Sequence, residues 1–183
     1  SLGVKDEPIA IHASNLRTIK RIDLLLDATK SALRKSSFKL LILAGADPTK
    51  VNQLIADREL QGQVIVADDV YDIDNYYAAG DFTVYSSEYE SFCLGILEGM
   101  RYGLPSASFD VGGISEVVLN DTTGFLAPFG DTDRLGQAIA QLAGDPELRG
   151  QMGNAAQERA ITSFSADAVV KTYLEAYYQV MKH

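Results

Sequence analysis

One cysteine in 183 residues is too few for an internal disulfide, and no apolar run reaches the roughly 18 residues that a membrane helix needs. No signal-peptide pattern is visible either, so a reducing, cytosolic setting is the expectation. Basic residues are scarce: 16 Lys and Arg stand against 25 Asp and Glu, a formal net charge of −9. Nucleic acid and anionic membranes need a basic footprint, so neither is an expected partner, and any anionic ligand must be captured by a few local groups. The first strand-to-helix junction carries no G-x-G-x-x-G, which argues against a dinucleotide-dependent dehydrogenase, and no P-loop is present for a nucleotide-hydrolysing motor. The acidic cluster of a receiver domain is missing from the end of Ile9–Ser14. His12 and His183 are too far apart to suggest a metal-ligand pair, and His12 reads as a strand residue satisfied by its surroundings.

What is present is an alternation. Runs at Ile9–Ser14, Phe38–Ala44, Val64–Ala67, Asp81–Tyr85, Ser106–Phe109 and Gly124–Ala127 predict short strands, and the segments between them predict helices. Asp47-Pro48, Asp145-Pro146 and Ser165 read as helix starts, with a capping side chain and, in the first two, a proline at the first helical position. Asp72-Ile73-Asp74 and Asp131-Thr132-Asp133 read the same way rather than as metal ligands, because aspartate favours helix starts and no third ligand is suggested nearby. The pattern predicts an α/β fold: a Rossmann-like doubly wound parallel sheet with helices on both faces, in one domain's worth of chain. The last helix carries Ala168, Val169, Tyr173, Ala176, Tyr177 and Val180 as an apolar stripe.

The chain is organised around residues 81–100. The strand Asp81–Tyr85 runs through an acidic loop into a helix, with Ser91 as the expected N-cap. A strand that delivers a helix N-terminus to a sheet edge makes an anion site from free N–H groups and the helix dipole. Glu90 stands just outside that helix and Glu98 about 12 Å further along it. Carboxylates accept from hydroxyls, so this layout suits a pyrophosphate with hydroxyl-rich groups on both sides, as in a nucleoside diphosphate-sugar. Earlier in the chain, Arg17, Lys20 and Arg21 gather at the first strand-to-helix junction, where ligands collect in open α/β sheets; a solvated basic turn is the other reading.

Glu90 and Glu98, within Glu-Ser-Phe-Cys-Leu-Gly-Ile-Leu-Glu-Gly-Met, closely resemble the E-x7-E motif of retaining family-four glycosyltransferases. Tyr76–Asp81, Gly103-Leu104-Pro105, Gly112–Val118 and Thr123–Pro128 match that family in order and spacing, and the resemblance runs from about Ile9 to the C-terminal helix. It implies the C-terminal, donor-binding domain of the two-Rossmann (GT-B) fold over residues 1–183, with the N-terminal acceptor-binding domain absent from this chain. The implied reaction is metal-independent and cofactor-free transfer of a sugar, with retention, from a nucleoside diphosphate-sugar. This chain alone is expected to bind the donor without transferring the sugar.

By the same resemblance, Arg17 and Lys20 contact the leaving diphosphate, although the commoner spacing is Arg-x4-Lys-Gly. Glu90 orients sugar hydroxyls and Glu98 holds the ribose. Phe92, Cys93 and Leu94 offer backbone N–H groups to the phosphate, with Cys93 where the family usually has glycine. The loop with Asp69 and Val70 faces the base, and Gly45 is a turn glycine that also admits a ligand. A thiol in the first helical turn is expected to have a lowered pKa if its sulfur faces the N–H groups, with bound diphosphate shielding it; a packed, inert thiol is the other reading. Two other functions fit the fold: a nucleotide-sugar epimerase, separable by product analysis of the full-length protein, and a nucleotide-responsive module without catalysis.

Overall fold

The computed structural model describes residues 7–68 and 70–181. Its six strands are β1 (Ile9–Ser14), β2 (Lys39–Ala44), β3 (Val64–Ala67), β4 (Phe82–Tyr85), β5 (Ser106–Asp110) and β6 (Gly124–Pro128). Every pairing is parallel, and the order is β3-β2-β1-β4-β5-β6. Parallel neighbours need crossovers, which here are mostly helical: α1 (Ile22–Ala32), α2 (Thr49–Asp57), α3 (Ile73–Ala79), α4 (Leu94–Arg101) and α5 (Ile114–Val117). The chain then runs through α6 (Thr132–Gly144), α7 (Pro146–Phe164) and α8 (Ala166–Met181). This is the expected doubly wound α/β sheet.

Helices cover both faces, which is why the strands read as near-continuous apolar runs. On one side Leu25, Leu26, Phe38, Phe82, Phe109, Leu135 and Ile139 form the largest buried cluster. On the other, Tyr85, Ile96, Met100, Ile114 and Val117 make a second cluster, and Ile11, Leu41, Tyr77 and Leu104 a third. Strand order reverses between β1 and β4, which pair Ala10 with Phe82 and Ile11 with Thr83. The loops after these two strands therefore leave the same edge in opposite directions, and a crevice opens between them.

Three helix starts differ from expectation, among them α3, where Asp72 stands at the cap position but its side chain accepts no backbone N–H. Ser91 does not cap α4; the helix begins three residues later, behind Cys93. The Gly113 N–H donates to the Glu90 carbonyl at 3.0 Å and holds the chain in an open loop until Leu94. At α2, Pro48 occupies the cap position rather than the first helical one, while Asp47 Oδ1 accepts the Thr49 N–H at 3.0 Å. Asp131, Asp145 and Ser165 cap as expected, accepting from the N–H groups of Arg134, Leu148 and Ala168. α8 contains no buried residue, and Tyr173, Tyr177 and Val180 of its apolar stripe are exposed.

Candidate functional site

The crevice is built from the two switch-point loops, and they are tied together. After β1 the chain makes a single 3-10 turn over Thr18–Lys20, then passes through Arg21 in the left-handed region at φ 46°. After β4, the buried Ser86 Oγ donates to the carbonyls of Lys20 and Arg21 at 2.8 and 3.0 Å, and the Glu88 N–H donates to the Ile19 carbonyl at 2.8 Å. Arg21 is turned onto Asp23, 2.8 Å away, and its pKa is raised by that hydrogen bond. Lys20 is instead directed inward: its Nζ lies 2.5 Å from Glu90 Oε1, with both side chains largely covered. The Ser87 hydroxyl donates to the same carboxylate oxygen at 2.7 Å.

Three adjoining lobes run along the carboxyl edge of the sheet. The lobe of about 270 Å³ holds Lys20, Glu90, Ser91, Phe92, Cys93 and the start of α4. It shares Ala13, Leu94 and Gly95 with a central lobe of about 450 Å³ that Ser14 and Glu98 line. The central lobe shares Ala44, Gly45, Val70 and Tyr71 with an outer lobe of about 470 Å³ bounded by Asp47, Pro48 and Asp68. The first helical N–H groups have no intrahelical partner, and Leu94 and Gly95, at the open start of α4, line both inner lobes. Glu98 sits one helical turn deeper, and its Oε2 accepts the Tyr77 hydroxyl at 3.1 Å. That hydroxyl is held protonated by burial.

Of the residues named from sequence, Lys20, Glu90, Phe92, Cys93, Leu94, Glu98, Gly45 and Val70 all line this cleft. Arg17 stands on the exposed outside of the same loop, its Nε donating to Asn15 Oδ1 at 3.3 Å, and lines none of the three lobes. Asp69 lies outside the described residues. Gly45 has no left-handed backbone, and a side chain there would make only a close van der Waals contact with the Ser14 carbonyl. Sequence reasoning missed Ser14, Ser87, Tyr71 and Tyr77. The small hydroxyl residues that end β1 and follow β4 were the available signal.

Cys93 corrects an expectation. It caps α4 with φ 64° and ψ 74°, the left-handed region where glycine costs nothing and other residues cost about 1–2 kcal/mol. Its thiol packs among Tyr85, Ile96 and Met100, so burial, and secondarily the charge of Glu90, pushes its pKa up to about 12 instead of lowering it. Iodoacetamide at pH 8 is therefore expected to leave Cys93 unmodified in the folded chain, with or without nucleotide, and to label it fully in urea. Rapid labelling of folded protein, read by intact mass, would contradict this burial.

No group of three or more His, Cys, Asp or Glu among the described residues is placed to hold a metal ion, and no described helix is long and apolar enough to cross a membrane. The charged side chains of the cleft are Lys20, Glu90 and Glu98 in the inner two lobes and Asp47 and Asp68 in the outer one.

The family model described as "Glycosyl transferases group 1" matches residues 1–159. The chain is 32% identical over 179 residues to N-acetyl-alpha-D-glucosaminyl L-malate synthase of Bacillus anthracis, covering 97% of this chain and 47% of that protein. It spans about half the length of the first curated relatives it matches. Among solved structures, a glycosyltransferase from Rickettsia africae superposes with a TM-score of 0.86 at 26% identity, over 98% of this chain and 49% of that one. Anabaena HepE in complex with UDP and glucose gives 0.85 at 24% identity, over 97% and 50%, a likeness of fold.

Proposed function

From the premise that the chain belongs to the group 1 glycosyl transferases, of GT-B architecture, we propose that it is the donor-binding domain of a retaining enzyme that takes a nucleoside diphosphate-sugar. The observation that carries this reading is the continuous cleft in which Lys20, the open end of α4 and the two glutamates follow one another along the sheet edge. The diphosphate lies at the inner junction, where Lys20 and the Leu94 and Gly95 N–H groups oppose the charge that builds on it as it leaves. Those groups supply the stabilisation without a metal. The ribose lies in the central lobe against Glu98, the base in the outer lobe beside Val70, and the sugar against Glu90. The C1–O bond to the diphosphate breaks, the acceptor oxygen bonds C1 on the same face, and the acceptor's proton passes to the departing phosphate oxygen.

An N-terminal domain outside this chain binds the acceptor. The half-length match to relatives and the uncovered apolar face of α8 support that division. A cytosolic setting belongs to the same proposal, supported by a single, buried and free thiol.

Calorimetric titration with UDP, GDP and ADP in the presence of EDTA tests the reading: one of the three is expected to bind. Glu98→Gln should weaken that diphosphate and its sugar conjugate alike, by about tenfold, because a charged acceptor is worth about 1.5–3 kcal/mol and the amide keeps part of it. Glu90→Gln should weaken the conjugate relative to the bare diphosphate, which should bind at least as tightly as it does to the parent because Lys20 loses its competing carboxylate. Equal losses for both ligands in the Glu90 variant, at unchanged melting temperature, would overturn the division of roles. An absolute need for added magnesium or manganese would overturn the metal-free assignment.

A further inference from the structure

His12 is wholly buried on β1 with both ring nitrogens engaged: Nδ1 is 2.9 Å from the Val84 carbonyl and Nε2 is 2.9 Å from Ser14 Oγ. A carbonyl only accepts, so Nδ1 carries the hydrogen and Nε2 of the neutral ring is a bare lone pair. Burial holds the imidazole pKa down at about 4, which keeps the ring neutral under ordinary conditions. Ser14 Oγ must then give its single hydrogen to His12. One of its two lone pairs receives the Leu16 N–H at 3.3 Å, and the other is left over at the edge of the central lobe, which Ser14 lines with Glu98.

A serine hydroxyl ordinarily rotates to suit whatever it meets. This one has no such freedom. The central lobe thus presents two side-chain acceptors, the Glu98 carboxylate and a hydroxyl oxygen whose proton is committed elsewhere. Such a pair is matched by two hydroxyl donors and is poorly suited to phosphate oxygens. We infer that Ser14 is a specificity-determining residue of the cleft, its Oγ locked as an acceptor by His12 and reserved for one ribose hydroxyl while Glu98 takes the other. The inference rests on the donor-binding reading above. His12 touches no ligand in this scheme; it is a positioning residue.

The test is calorimetric titration of the chain with UDP, GDP and ADP, and then with the 2′-deoxy and 3′-deoxy counterparts of the tightest binder. The parent is expected to bind each deoxy ligand more weakly than the ribonucleotide, for the Ser14 hydroxyl by about three- to tenfold, the worth of one neutral hydrogen bond. Ser14→Ala is expected to lose that factor for the ribonucleotide and to bind one of the deoxy forms as the parent does, so that discrimination at one hydroxyl vanishes. His12→Phe, which releases the Ser14 rotor, is expected to narrow the same ratio, a quantity that a loss of stability alone does not move. The Ser14 variant decides the matter if the buried His12 change impairs folding. Parental ratios against both deoxy ligands in Ser14→Ala would overturn the inference and leave the donor reading standing. Failure of the folded parent to bind any of the three ribonucleotides would overturn both.

Discussion

Gly112→Ala is expected to lower stability by about 3 kcal/mol, because it adds a methyl group where both the backbone and the space forbid one. Gly112 has φ 54°, in the left-handed region, and a Cβ there would lie 1.9 Å from the Glu90 carbonyl oxygen. The obstacle is main chain, which has no rotamer to yield. Its neighbour is equally confined, since a Cβ on Gly113 would meet the Ser91 carbonyl oxygen at 2.1 Å. The glycine pair thus allows close approach of the Glu90–Phe92 loop. In a chain of this size each kcal/mol corresponds to about 2–4 °C, so calorimetric melting should fall by about 6–12 °C. Nucleoside diphosphate affinity should fall as well, because that loop leads into the open end of α4. A variant that melts within 2 °C of its parent would show that the two loops are not in contact as described.

Acidification is expected to cost about 3 kcal/mol of stability through His12 alone. Burial, the dominant cause, lowers its pKa from the ordinary 6.5 to about 4, with nearby Lys20 acting in the same direction and the Val84 carbonyl and Glu90 opposing. The folded-state value is the depressed one, so between these limits the unfolded chain binds a proton that the folded chain refuses. The contribution is therefore complete above about pH 6.5, declines as the pH falls, and levels off near pH 4. Asp23 and Asp47, whose pKa values are lowered mainly by hydrogen bonds from Arg21 and Thr49, lose their contributions only at more acid pH. Urea denaturation of the parent and of His12→Gln between pH 7.5 and 4.5 separates the effect. The parent should lose stability over this range and the variant should lose about 2.5 kcal/mol less. Parallel curves would mean that His12 is solvated in the native state.

The division between what the sequence disclosed and what it withheld follows the range of the forces involved. The strands at Ile9–Ser14 and Val64–Ala67 have the bounds expected of them, because burial on both faces of a parallel sheet leaves a purely local apolar signature. The placement of Glu90 and Glu98 along one cleft was legible because their spacing across a loop and a helix start fixes it. Ser91 was misread as a cap because its loop is held by Gly113, a contact between distant parts of the chain that no local pattern encodes. The thiol of Cys93 was misread for a related reason: a left-handed residue points its side chain into the core rather than along the helix mouth. Lys20 faces the cleft and Arg17 does not because a 3-10 turn separates them, and the two were equivalent cations until that turn was seen.

Under the proposed scheme, the ion pair between Lys20 and Glu90 would make ligand capture an exchange rather than an addition. A diphosphate arriving under the proposed scheme must displace a carboxylate tethered beside the same ammonium, an intramolecular competitor whose effective concentration no dilution reduces. The affinity then reports the difference between two ion pairs, not the strength of one. Under that scheme, once the sugar has gone and only the diphosphate remains, Glu90 would have nothing left to orient and would be free to reclaim Lys20, so that the residue steadying the substrate would also favour release of the product.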